Sequence, residues 1–449
     1  MNRRTFLGSS ATAVTVAGMM ASGKVFGAND RVQIACIGTG GRGSGHVGFY
    51  ATDACADLVA VCDVDSKRLE GIAGKVKEAS GKTPFTTVDM REIMSRSDVD
   101  AVTTATPNHW HTLVSIWACQ AGKDVYVEKP LSHTVWEGQQ LVAAQKKYNR
   151  VVQHGTQSRS SNEWIQAIKL MREGIIGDIH TARGTGYKNG NRGQLPQKED
   201  SAPPVNLNWE LWQGPVPDRP YNDNYVPYNW HWFWRYGNGE IGNQGVHEMD
   251  KSVWIMNKGL PVKVYSAGGR YTYKDQGETP NTNTAIFTYA DGTELVFDVR
   301  NRFTNREGGR FIGETVKLAG IGDVQVGRFK EGPGVGAMAY GSKGYYVEDI
   351  GFFDTEDKPI ETPPAPETPK NANFINFAKA VISRKPEDNP CDAQVGHTSC
   401  VHCHLANISY RLGRSLNFDP ATEKFVGDDE ANAMLTKEYR KGFEVPQLA

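Results

Sequence analysis

The reading of this chain turns on residues 31–46, RVQIACIGTGGRGSGH. The run RVQIACI is apolar after a charged start and reads as a buried strand. Gly38-Thr39-Gly40-Gly41-Arg42-Gly43 then spells G-x-G-x-x-G at a strand-to-helix turn. In that pattern Gly38 permits the tight turn, Gly40 lets the backbone approach a pyrophosphate, and Gly43 lets the helix pack close to the strand. Thr39, Gly41 and Arg42 complete the loop, and the N–H groups at the helix start face the phosphates. A second strand, LVAVCD, ends at Asp63, twenty residues beyond Gly43. A carboxylate there accepts from ribose hydroxyls and repels a 2′-phosphate, and no arginine follows it directly, which favours NAD over NADP.

Outward from this loop the alternation continues. KRLEGIAGKVKEAS reads as helix, TPFTTVDMREIMSR as a short strand and a short helix, VDAVTTATP as a strand, HTLVSIWACQAG as a helix with a glycine stop, and DVYVEKP as the next strand. Strands alternating with short helices predict a parallel sheet covered on both faces, with ligand beyond the carboxyl ends of the strands. Thr106, Pro107, Asn108, His111, Glu128 and Lys129 fall at such ends, whereas His109 is expected to be exposed. Residues 133–149 read as a helix, VVQHGTQSR as a strand and its exit, and SNEWIQAIKLMREGIIGD as an amphipathic helix capped by Ser161. IHTARGTGY opens a second sheet, and its Tyr187 is a candidate cleft residue.

Residues 189–229 are irregular and aromatic-rich, and they either cover a cleft or pack on their own domain. Gly242 to Met256 predicts a helix whose Asn243, His247, Asp250 and Trp254 share one face. The runs PVKVYSAGGRYTY, NTAIFTYADGTELVFDVRN and ETVKLAGIGDVQV continue the second sheet, with a hairpin at Asp291-Gly292. KPIETPPAPETPK is a Pro-rich connector. The boundaries expected are a leader over 1–30, a dinucleotide domain over 31–155, a substrate domain over 156–413 whose 393–412 helix packs back on the first, and an irregular tail over 414–449. His397, Cys400, His402, Cys403 and His404 lack the distant second pair of a zinc pattern, so no metal is expected and a structural role is favoured.

Length and composition agree with this division. The 449 residues suffice for two cores, and 48 glycines suit a loop-rich soluble protein. A formal net charge of -1 gives no footprint for nucleic acid or for a basic membrane patch. Seven irregularly spaced cysteines are not a disulfide framework.

The fingerprint, the TPNHWH stretch from Thr106 to His111 and Glu128-Lys129-Pro130, in that order, resemble the glucose-fructose oxidoreductase/inositol dehydrogenase/rhizopine catabolism family. The resemblance implies a Rossmann-type domain followed by an α+β domain with a large, open, mostly antiparallel sheet. It implies NAD(P)-dependent enzymes of sugars and cyclitols, with a minority of NAD-using glycosidases. It places Lys129 beside nicotinamide and substrate hydroxyl, His247 beside the substrate, and Gln157 and Arg159 nearby. His111 would support the loop near the ribose or nicotinamide. Family dehydrogenases usually carry aspartate four residues before the histidine; this chain has Asn243, which orients a partner but takes no proton. His231, amid tryptophans, is a second proton-transfer candidate. Family members often form oligomers through the second-domain sheet.

RRTFL at residues 3–7 resembles a bacterial twin-arginine signal, and the apolar run after it is too short for a comfortable membrane span. The mature protein is thus expected in the periplasm or otherwise exported, after contact with the twin-arginine machinery and with NAD held tightly and non-covalently. Each turnover must then restore the cofactor. Oxidoreduction of a sugar, glycoside or cyclitol hydroxyl does so with a second substrate. Glycoside cleavage by transient oxidation and elimination does so in a closed cycle. A noncatalytic sugar-binding protein is the third reading.

Overall fold

The computed structural model describes residues 31–53, 55–188, 192–301, 310–318, 322–330 and 334–449. The expected leader lies outside the described residues. Strand β1 (Val32–Ile37) is flanked by β2 (Ala56–Cys62) and β4 (Ala101–Thr104), both parallel to it. With β3 (Phe85–Thr87), β5 (Asp124–Val127) and β6 (Val152–His154) they form an all-parallel sheet in the order β3-β2-β1-β4-β5-β6. Its central strands β1, β4 and β5 are buried on both faces, as helix-covered parallel strands must be, and only the edge strand β3 carries an exposed residue, Thr86. The helices are α1 (Gly41–Tyr50), α2 (Ser66–Ser80), α3 (Met90–Ser95), α4 (Asn108–Gln120) and α5 (Val135–Tyr148). Local signals set their ends. Asp65 caps α2 by accepting from the Arg68 N–H, Gly81 ends it at φ 72°, and Thr134 caps α5 through the Glu137 N–H.

The second unit holds a ten-stranded sheet ordered β16-β15-β14-β13-β7-β10-β9-β8-β17-β18. In chain order these are β7 (Ile179–Tyr187), β8 (Lys263–Gly269), β9 (Thr282–Thr288), β10 (Glu294–Arg300), β13 (Val335–Gly341), β14 (Gly344–Val347), β15 (Gly351–Asp354), β16 (Pro359–Ile360), β17 (Leu416–Asp419) and β18 (Lys424–Phe425). Only β7 and β10 pair in parallel. The expected fold class is therefore the one observed. The helices of this unit are α6 (Asn162–Arg172), α7 (Trp209–Gln213), α8 (Gly239–Asn243), α9 (Gly245–Met256), α10 (Ala372–Ser383), α11 (Ala393–Leu412) and α12 (Asp429–Ala433). α9 packs under β7 and β10. α11 lies between α9 and β8 on one side and α5 and β6 of the first unit on the other.

Four expectations need correcting. The run ETVKLAGIGDVQV does not continue the main sheet; β11 (Arg310–Leu318) and β12 (Gly322–Lys330) pair with each other as a separate ribbon, each satisfying the other's backbone groups. The helix expected over 242–256 begins at Gly239 and is divided at Gln244. His109 is buried, because residues 212–236 lie over α4 and present the Trp212 and Tyr236 carbonyls to its ring. The 414–449 tail is not wholly irregular: alternating Leu416 and Phe418 are buried as β17 pairs with β8. Beyond it, Phe443 meets Trp110 and Trp117, and Lys437 pairs with Glu137 of α5 at 2.6 Å.

Candidate active site in the cleft between the units

The turn from β1 into α1 is built by backbone contacts that tolerate no side chain. Gly38 sits at φ 79°, and a Cβ there would lie 2.9 Å from the Ala105 carbonyl carbon. A Cβ on Gly43 would lie 1.8 Å from the Gly38 oxygen, so that glycine sets how closely helix meets strand. Gly40 and Gly41 face open space, with at most the Arg68 guanidinium at 3.9 Å. No side chain caps α1 and no acidic residue stands in its first turn. The result is an open cradle of N–H groups at a helix N-terminus, suited to a pyrophosphate. Asp63 stands beside it, with one carboxylate oxygen accepting from the Thr39 N–H at 2.7 Å and the Thr39 hydroxyl at 2.9 Å. A dinucleotide fits this donor set.

The cradle opens into a cavity of about 610 Å³, within the range of small-molecule sites. Gly38, Gly40, Gly41, Arg42, Asp63, Thr106, Pro107, His111, Glu128, Lys129 and Gln157 line it from the first unit and its exit, and Asn243, His247 and His231 from the second. Within the lining Glu128 accepts from Arg42 Nε at 2.7 Å, and it lies 3.1 Å from Nε2 of the buried His46 behind it. Burial pushes its carboxyl up, but His46 and Arg42 outweigh that and hold it well below the ordinary value. His111 contacts the Pro130 and Thr106 carbonyls at 2.6 and 2.8 Å, so it ties together the chain exits after β5 and β4, and both ring nitrogens face carbonyls.

Lys129 Nζ donates to the Asn243 carbonyl at 2.8 Å and to Asn243 Oδ1 at 3.1 Å. Burial lowers its pKa; Glu128 and Glu240 oppose this without cancelling it. Asn243 thus meets two of the nitrogen's positions, and the remaining one, an N–H in the ammonium and a lone pair in the neutral amine, is left for the cavity. The departure at Asn243 has a local reason. Its Nδ2 donates to the Tyr228 hydroxyl at 3.2 Å and lies 3.5 Å from Glu240 Oε2. A carboxylate in that place would face another carboxylate. Glu240 is buried and held by Arg192 Nε at 2.7 Å.

His231 is the stronger of the two histidines. Its ring stacks on Trp230 with centroids 3.6 Å apart, and Nδ1 lies 2.6 Å from the Tyr228 carbonyl. A carbonyl only accepts, so Nδ1 carries the proton and Nε2 is a bare base on a ring that lines the cavity. Burial, then the Lys129 charge, keep the ring neutral. The His247 ring has no hydrogen-bond partner among the described residues, and burial with Lys129 lowers its pKa to about 3.

Several candidate residues lie elsewhere. Asn108 donates to Asn238 Oδ1 and Thr39 serves Asp63; both are buried outside the cavity lining. Tyr187 is buried in the sheet under the Arg300 guanidinium, 5.3 Å from its ring. Arg159 and Asp250, expected at the substrate, instead form a buried bidentate pair, Nε–Oδ2 3.0 Å and Nη2–Oδ1 3.0 Å, with Ser399 donating at 2.7 Å. The helical face that carries His247 into the cavity turns Asp250 toward α11. Among the described residues no group of three or more His, Cys, Asp or Glu side chains is placed to hold a metal ion; His397 meets Glu423, His402 meets Tyr289 and His404 meets Ser132. Sequence reasoning missed Arg192 and Glu240, whereas Tyr228 is one of the aromatics of 189–229 read as either covering a cleft or packing on their own domain, and it lines the cavity. Glu240 had a signal, three residues before Asn243 at helical spacing; Arg192 sits in irregular chain and had none.

Asp250→Asn is expected to destabilise the protein by about 3 kcal/mol, since it takes the opposite charge away from the largely buried Arg159 guanidinium. Burial raises the Asp250 pKa, and Arg159 with Ser399 more than reverses that, so it sits below 3.8 when folded. Its contribution is therefore complete at neutral pH and is lost only as pH falls through the lowered folded value. Denaturant titration of both proteins at neutral pH checks this.

Fold and cradle together define a protein with a Rossmann-type nucleotide-binding unit followed by an α+β unit with a large mixed sheet. Residues 32–156 match the description "Oxidoreductase family, NAD-binding Rossmann fold", and residues 165–316 and 350–445 match "Oxidoreductase family, C-terminal alpha/beta domain". The chain belongs to the Gfo/Idh/MocA oxidoreductase family. Among curated proteins it is similar to a "Glycosyl hydrolase family 109 protein" of Shewanella pealeana, 29% identical over 178 residues, which are 38% of this chain and 39% of that one. It is likewise similar to a protein so named from Saccharopolyspora erythraea, 31% identical over 162 residues and 35% of each chain. The chain thus spans under two fifths of the length of these relatives. Among solved structures, the Chromobacterium violaceum WlbA dehydrogenase in complex with NADH and UDP-GlcNAcA is 18% identical at TM-score 0.62, covering 88% of this chain and 98% of that one. The Caulobacter crescentus aldose-aldose oxidoreductase is 18% identical at TM-score 0.60, covering 87% and 100%. At that identity these structures share the fold.

Proposed function

We propose that this protein oxidises or reduces a hydroxyl-bearing carbon of a sugar, glycoside or cyclitol, using a tightly held NAD that each turnover returns to its starting state. The observation that carries the reading is the meeting of Lys129, His231 and His247 around one cavity continuous with the glycine cradle. Gly38, Gly40, Gly41, Arg42 and Asp63 would hold the dinucleotide, with Thr106, Pro107, Glu128 and Gln157 along its length. Bound NAD supplies hydride acceptance and donation. The chain's own part is proton handling and orientation. Asn243 fixes the Lys129 amine, whose lone pair takes the substrate hydroxyl proton, and the Trp230 and Tyr228 rings suit the C–H faces of a sugar.

A second reading is glycoside cleavage by oxidation, elimination and hydride return. Two observations favour it: the similarity to curated relatives named as glycosyl hydrolases, and a second bare nitrogen, His231 Nε2, able to take a carbon-bound proton once the neighbouring position is a ketone. Mixing purified protein with a panel of free sugars and aryl glycosides separates the readings. Reduced-nicotinamide absorbance without leaving-group release supports oxidoreduction. Leaving-group release without net absorbance change, abolished in His231→Ala, supports cleavage. Saturable sugar binding with neither signal would establish a noncatalytic binder.

We also infer export. RRTFL at the start of the chain supports it, and no helix among the described residues is long and apolar enough to cross a membrane. Retention of NAD during transit as a folded protein is the corresponding demand on the site.

A further inference from the structure

Three features outside the hydride-transfer residues stand out: the polar groove beside α6, the arginine-lined notch beside α12, and the segment from 204 to 216 that crosses the first unit. The third carries an inference furthest.

This segment belongs to the second unit by sequence but is fastened to the turn between β2 and α2. The Ser66 N–H donates to the Asn206 carbonyl at 2.9 Å, and the Asn208 N–H donates to the Val64 carbonyl at 2.9 Å. Between these bonds Asp65 and Leu207 face each other as an isolated antiparallel bridge. Asn206 Nδ2 adds a bond to Asp65 Oδ1 at 2.7 Å. Asp63, the carboxylate placed for the ribose, is two residues away. Val64, Asp65 and Arg68 line the cavity from below, and Leu207, Leu211 and Trp212 line the same end from above.

The far end of the strap is anchored separately. Asn208 caps α7 by accepting from the Leu211 N–H. Trp110 Nε1 donates to the Leu211 and Trp212 carbonyls, both at 3.1 Å, and His109 Nε2 meets the Trp212 carbonyl at 3.0 Å. Gly214 lies so close to the Trp110 ring that a Cβ would be 2.1 Å from it. The C-terminal segment braces the outside: Arg440 Nη2 donates to the Glu210 carbonyl at 2.8 Å and the Arg440 N–H to the Pro215 carbonyl at 3.1 Å.

We propose that residues 206–212 are a retention strap that closes the adenosine end of the dinucleotide groove, so that the cofactor leaves only when the Asp65–Leu207 bridge opens. This rests on the NAD reading above and gives it a mechanism: release needs several hydrogen bonds broken together, while substrate enters at the opposite, Lys129 end. The buried His109 and Trp110 are then positioning residues for the strap.

The test follows exchange of isotopically labelled NAD into holoprotein by mass spectrometry. Leu207→Ala, which trims the roof and leaves both backbone bonds, is expected to speed exchange at least tenfold. In an antiparallel bridge flanked by such bonds the paired residues are the close, non-hydrogen-bonded kind, suited to a disulfide. Asp65→Cys/Leu207→Cys, oxidised after loading, is therefore expected to stop exchange, and dithiothreitol to restore it. Equal exchange in oxidised and reduced forms, or no change in Leu207→Ala, would overturn the strap while leaving the cofactor reading intact. Wild-type protein that neither contains nor captures NAD would instead overturn the cofactor reading itself.

Discussion

Lys129→Met is expected to lower turnover about a thousandfold while the purified protein still carries its nucleotide. The Lys129 nitrogen is held by two hydrogen bonds to one residue, Asn243, and so fixed in direction. Methionine keeps the length and removes both the proton acceptor and the donor. The pH dependence identifies the form in use. Burial lowers the Lys129 pKa below 10.5 against the pull of Glu128 and Glu240. If the neutral amine accepts the hydroxyl proton, activity rises with pH through that lowered value. His247, at about 3, and His231, well below 6.5, are already neutral there and contribute no such limb. Glu248, raised to about 7 by burial, stands outside the cavity lining. The acid limb should therefore vanish in Lys129→Met, and Lys129→Arg, which stays charged, should be inactive at every pH. A profile whose limb survives in Lys129→Met assigns the proton to another group.

What the sequence made legible follows from how locally each feature is determined. The glycine loop, the strand ends at Thr106 and Glu128 and the helix caps depend on neighbours within a few residues, and they stand where expected. Helical spacing brought Asn243 and His247 to one cavity even though the helix is divided at Gln244, but the expected face spans more than one environment. His247 meets the cavity, while Asp250, less than one turn on, meets Arg159 and Ser399. The aromatic segment had no periodicity to read. Its Trp212, Tyr221, Tyr225 and Tyr236 form a cluster of their own, and the same chain roofs the cleft with Leu207, Trp212, Tyr228 and His231, so both expected roles are present. The sequence makes His231 a proton-transfer candidate but does not say through which nitrogen, because only the tertiary structure shows that the Tyr228 carbonyl occupies Nδ1.

The other large effect lies in the loop where the reading began. Gly43→Ala is expected to yield protein without nucleotide and with stability lower by about 3 kcal/mol or more. The added methyl would sit 1.8 Å from the Gly38 oxygen and 2.8 Å from its carbonyl carbon. Neither is a flexible side chain, so helix α1 must shift bodily from β1. That movement widens the Gly38 turn, itself packed against the Ala105 backbone, and carries the N–H cradle away from Asp63. Two controls on the same helix separate packing from binding. Gly41→Ala places its methyl in open space at the cradle, so it should weaken nucleotide binding with little change in melting temperature. Gly48→Ala, with nothing within 4 Å, should stabilise the helix by about 0.5–1 kcal/mol and leave binding unchanged. Thermal melts with nucleotide content measured on the same samples give all three results. If Gly43→Ala folds and binds like Gly48→Ala, the close helix–strand contact does not form the phosphate site, and the dinucleotide must be sought elsewhere in the cleft.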